Sequence, residues 1–113
     1  MKVWYEDIRE RFLTFPIETQ VLHLAGELNK AKNRGPISKK EAEAHLYGAL
    51  VLIDHMVADT KWVPRRKELL RLREAVASLL APGIPYGTIA QLLEVALLLD
   101  PGAYKMGRAT IGR

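Results

Sequence analysis

The stretch "SKKEAEAHLYGALVLIDHMVADT", residues 38–60, decides the fold. Ser38 followed by Glu41 has the S-x-x-E spacing of a helix start, in which the hydroxyl accepts a backbone N–H that the first turn leaves free. Turned at about 100° per residue, the following residues place Ala42, Leu46, Ala49, Leu50, Ile53 and Val57 on one side, the expected core face. The opposite side carries Ala44, Tyr47, Val51, His55 and Ala58, too apolar for a face left in water. Such a helix is enclosed by its own domain or covered by a partner. The back of the helix, with Tyr47, Val51 and Ala58, is therefore an expected oligomer interface.

The polar residues of the same stretch separate on the wheel. Asp54 and His55 adjoin in sequence but point about 100° apart, so they are not a preformed acid–base pair. A spacing of four does bring helical side chains together. Each histidine has a carboxylate at that spacing: His23 with Glu27, His45 with Glu41, and His55 with Asp59. An antiparallel pairing of the second and third helices would gather His23, Glu27, Glu41 and His45 into a candidate site for a divalent metal such as Zn, Fe or Mn. Bundle di-metal sites use E-x-x-H on inward faces, whereas the spacing here is E-x-x-x-H on helix flanks. The plainer expectation is a set of i, i+4 pairs at a core edge, with no cofactor.

Beyond residue 60, "WVP" breaks the helix, because the residue before a proline disfavours the α region. The segment "KWVPRRKELLRLR", residues 61–73, follows. Lys61, Arg65, Arg66, Lys67, Arg71 and Arg73 face only Glu68 and Glu74 between residues 61 and 80, so this part of the chain holds the whole net charge of +4. Arg65, Arg66 and Lys67 occupy the first turn of a helix restarted by Pro64, where the backbone already presents positive partial charge. Cations there are favourable once an anion docks. Lys61, Trp62, Arg65, Arg66, Lys67, Arg71 and Arg73 are thus candidate nucleic-acid or polyanion contacts, with Trp62 positioned to stack on a base. An acidic protein partner satisfies the same charges. The restarted helix places Leu69, Leu72, Val76 and Leu79 on one face and ends at "APG".

The last helix begins near residues 85–88 and runs through "IAQLLEVALLL" to Asp100. It is apolar almost all round, so Leu93 and Leu97 join the expected self-association surface. Pro101 and Gly102 read as its stop, which leaves residues 103–113 as a tail or arm and argues against a helix-turn-helix here. Toward the N-terminus, Trp4, Ile8 and Phe12 recur at i, i+4, i+8 over residues 3–13 as a short helix. A second helix starts at Pro16 and runs through Ile17, Val21, Leu24, Leu28 and Ala31 until "NRGP" stops it.

No segment alternates in the manner of a strand, so the expected fold is all-α. It is a four-helix bundle-like single domain over residues 1–102, with a short extra N-terminal helix and a C-terminal tail. The 113 residues are enough for one core. The absence of cysteine excludes disulfides, thiolate metal sites and cysteine nucleophiles. No apolar run approaches the roughly 20 residues of a membrane span, and the N-terminus lacks a leader-like apolar stretch. A cytoplasmic location and no membrane partner follow as expectations. Phosphate-loop, dinucleotide, zinc-protease and nucleophile-elbow motifs are missing. No catalytic residue is assigned, and the sequence leaves enzymatic activity open, with a non-enzyme the favoured reading. The sequence thus reads as a small helical binding or adaptor module that self-associates through apolar helix faces.

Overall fold

In the computed structural model, which describes residues 9–110 with side chains through residue 107, every regular element is helical among the described residues. The helices are α1 (Arg9–Leu13), α2 (Ile17–Arg34), α3 (Lys39–Ala58), α4 (Arg66–Ser78), α5 (Ile89–Leu97) and α6 (Pro101–Thr110). A 3-10 turn (Thr60–Arg65) joins α3 to α4. The all-α expectation holds. Of the expected N-terminal helix, Trp4 and Ile8 lie outside the described residues, and α1 contributes the buried Phe12.

Helix α2 is the centre of the fold. It packs most extensively on α3, then on α5, and also on α6. Its buried stripe of Val21, Leu24, Leu28 and Ala31 follows the 3.6-residue period, with Ala25 beside it. Helix α3 starts as its sequence dictates: Ser38 Oγ accepts from the Glu41 N–H at 3.2 Å. The reciprocal half of the capping box is absent because the Glu41 carboxylate is taken by Arg34, at 2.6 and 3.0 Å from its two donors. The buried face of α3 is Ala42, Leu46, Gly48, Ala49, Leu52, Ile53 and Met56. It is turned from the expected face toward Gly48, Leu52 and Met56, leaving Leu50 and Val57 half-buried. Gly48 faces α2, where a Cβ would lie in ordinary contact, 3.4 Å from the Glu27 Cδ.

Helix α5 begins with a complete capping box. Thr88 Oγ1 accepts from the Gln91 N–H at 3.1 Å, and Gln91 Oε1 accepts from the Thr88 N–H at 2.9 Å. The preceding loop needs glycine at Gly83, whose φ is 107°.

The C-terminal segment differs most from expectation. Residues 101–110 are helical, not an extended tail. Asp100 Oδ2 accepts from the Ala103 N–H at 3.0 Å, and the Asp100 carbonyl accepts from the Tyr104 N–H at 2.9 Å. Asp100 is thus an N-cap, and Pro101 sits at the first helical position, where a missing N–H costs nothing. The proline that ends one helix starts another. Tyr104 donates its hydroxyl to Glu94 Oε1 at 2.8 Å, which ties α6 to α5, and Ala103 and Gly107 are buried. The radius of gyration is 13.1 Å, in keeping with about 13 Å for one domain of roughly 100 residues. Among the described residues no helix is long and apolar enough to cross a membrane.

Candidate functional site

The 3-10 turn divides the basic segment into inward and outward halves. Lys61 Nζ donates to the carbonyls of Leu13 and Phe15, at 2.9 and 2.8 Å, and so closes the end of α1. It also lies 3.3 Å from the buried Asp59 Oδ2, while Asp59 Oδ1 accepts from the Lys61 N–H at 3.1 Å and caps the turn. Trp62 is 1% exposed, and its indole N–H donates to Gln20 Oε1 at 2.6 Å. The ring fills the core, where no nucleic-acid base reaches it. Arg66 Nε donates to the Val57 carbonyl at 3.1 Å and completes the C-terminal turn of α3. Arg73 holds Asp54 of α3, with Nε 2.5 Å from Oδ1, and this partner raises the guanidinium pKa above its ordinary value.

The outward half forms an open depression of about 590 Å³ lined by Val63, Pro64, Arg65, Arg66, Lys67, Glu68, Leu70 and Arg71. Arg65 reaches Glu68 at 3.3 Å, an exposed i, i+3 pair worth at most about 1 kcal/mol. Four cations therefore surround one carboxylate, beside the half-exposed apolar residues Val63 and Leu70. A second depression, about 310 Å³, lies between α4 and α5 and is lined by Glu68, Arg71, Leu72, Ala75, Leu92 and Val95. Glu68 and Arg71 line both, so the basic and the apolar depressions adjoin. Sequence reasoning missed the second one. Its signal was the all-round apolar character of α5, which leaves Val95 45% exposed.

The four metal candidates are redistributed. Glu27 and His45 meet across α2 and α3, with Oε2 2.7 Å from Nδ1, whereas Glu41 pairs with Arg34. His23 stacks on Phe15, with ring centroids 5.2 Å apart and planes 12° from parallel. Burial, chiefly, and the nearby Lys30 charge lower the His23 pKa below 6.5, against an opposing pull from Glu27. Among the described residues no three His, Cys, Asp or Glu side chains are placed to hold a metal ion.

The expected interface residues also divide. Tyr47 is 45% exposed, Ala58 is exposed and Val51 is half-buried, so the back of α3 is largely on the surface. Leu93 and Leu97 are instead buried in the protein's own core, where α5 packs chiefly on α2 and less on α6. Compared with protein-family models, with curated proteins and with solved structures, the chain matches none.

Proposed function

We propose that the protein is a small helical binding module whose contact surface is the outward face of α4 and whose partner is an acidic protein. The observation that carries this reading is the junction at Glu68 and Arg71 of a basic depression with an apolar one. Protein interfaces combine an apolar centre, rich in such contacts, with a polar rim. Positive charge beside that centre speeds capture of an acidic partner and selects against a basic one. Nucleic-acid binding is the weaker alternative. Trp62, the one aromatic of residues 61–73, is buried, and Lys61, Arg66 and Arg73 already hold carbonyls or a carboxylate of the chain itself.

The test is fluorescence anisotropy with labelled poly-glutamate and, separately, mixed-sequence duplex DNA, over a series of salt concentrations. Poly-glutamate binding that weakens with salt and is lost in Lys67→Glu/Arg71→Glu supports the proposal. Tighter binding to DNA would replace it with the polyanion reading. No binding to either would end both.

Self-association is a second reading, supported by the exposed Tyr47 and Ala58 on the back of α3. Its surface is smaller than the sequence implied, since Leu93 and Leu97 do not contribute. A stable interface buries about 800 Å² per partner. Sedimentation should show a dimer at micromolar concentration that Tyr47→Glu dissociates, and a strict monomer would remove this reading.

A further inference from the structure

We infer that the α4/α5 depression receives an acidic amphipathic helix of the partner protein. The inference rests on the binding-module reading above and names the form of the occupant. Leu72 and Leu92, both buried, provide the floor, while Ala75 reaches no further than its Cβ and leaves the depression beside them. Val95, 45% exposed, forms one side. A depression between two helices accepts a third helix through apolar residues at i, i+3/i+4 and i+7.

Charge selects which helix. Arg71 borders the apolar depression and Lys67 lies one turn away on α4, with Arg65 and Arg66 beyond it. Glu68 is the one carboxylate lining either depression, and Arg65 lies 3.3 Å from it. A docked helix carrying Asp and Glu beside its apolar stripe therefore meets a surplus of cations at one end. An extended peptide adding to a sheet edge has no counterpart here, because the described residues contain no strand. Nucleic acid would leave the exposed apolar surface of Val95 and Ala75 uncovered.

Two labelled peptides of identical Leu, Ala and Glu composition test the inference. One carries its leucines at i, i+3/i+4 and i+7; the other has them scrambled so that no face forms. The patterned peptide should bind at least about tenfold tighter and gain helical circular dichroism on binding. Val95→Glu should abolish that advantage and leave only the weak binding shared with the scrambled peptide. Arg71→Glu should weaken both peptides. If Val95→Glu melts early, Val95→Ser removes the same wall without adding charge. Equal binding of the two peptides would overturn the inference while leaving the acidic-partner reading intact. A patterned-peptide advantage insensitive to Val95 would place the helix elsewhere and also overturn it. No binding of either peptide would overturn both proposals.

Discussion

The indole N–H of Trp62 donates to Gln20 Oε1 at 2.6 Å, joining residues 42 apart in the chain, and Gln20 Nε2 in turn donates to the Phe12 carbonyl at 3.0 Å. Gln20 is fully buried and supplies the acceptor for the indole N–H, while the Phe12 carbonyl also accepts from the Phe15 N–H at 3.1 Å. A buried polar group left without a partner costs about 1–3 kcal/mol. Gln20→Leu strands the buried indole N–H and Trp62→Phe strands Gln20 Oε1, so urea denaturation should find each single variant less stable than wild type. In Gln20→Leu/Trp62→Phe the loss should fall short of the sum of the single losses. Strict additivity would mean that the two side chains do not interact.

Lys61 joins α1 to the 3-10 turn through two carbonyls and the Asp59 carboxylate. Lys61→Met keeps most of the aliphatic stem and removes the ammonium. The half-buried Asp59 then loses its cation, and the last turn of α1 loses its donor. We expect a loss of about 1–3 kcal/mol. The opening should be local: amide exchange should accelerate over residues 9–15 more than in α3. Uniform acceleration throughout the chain would contradict this.

The local chemistry of the fold was legible in the sequence, whereas the long-range pairings were not. Ser38 and Glu41 announce the start of α3 because a cap is decided within one turn. The charges of residues 61–73 were equally visible, but not their neighbours: Lys61 finds a carbonyl 48 residues away, and Arg73 a carboxylate 19 away. Asp100-Pro101 carried two meanings, a helix stop and a cap followed by a first helical residue, and only α2 and α5 beneath α6 decide between them. Leu97 likewise turned inward where α5 packs on α2 and α6. The apolar depression depends on Ala75 meeting Leu92 and Val95, a pairing of helices that no single-helix wheel contains.

Three glycines in helices should respond differently to alanine. At Gly107 a Cβ would lie 2.5 Å from Leu97 Cδ2, inside a packed and buried contact. Gly107→Ala should cost about 1–3 kcal/mol as overpacking. At Gly102 the nearest atom is Glu18 Oε2, at 2.8 Å, the end of a side chain that can swing away, so the effect should be small. At Gly26 nothing lies within 4 Å, and alanine should stabilise α2 by about 0.5–1 kcal/mol through its lower backbone entropy cost. Thermal melts would rank the variants 26 above wild type, 102 near it and 107 below. A destabilised Gly26→Ala would show that α2 is more tightly covered there than its surroundings indicate.

His23 should make stability fall on acidification. Its pKa is lowered from 6.5, mainly by burial and then by Lys30, so the native protein holds the neutral ring more firmly than the unfolded chain does. Above 6.5 both states are neutral at this residue, and its full contribution to stability is present. As the pH drops through 6.5 the unfolded chain takes up a proton that the native ring resists, and stability declines until the native pKa is passed. His23→Gln removes that linkage, while His45 and His55 remain in both proteins and cancel in the comparison. Urea denaturation at pH values on either side of 6.5 should therefore show wild type losing more stability than His23→Gln on the acidic side. Equal losses, or a larger loss in the variant, would mean that burial against Phe15 does not hold the His23 ring neutral.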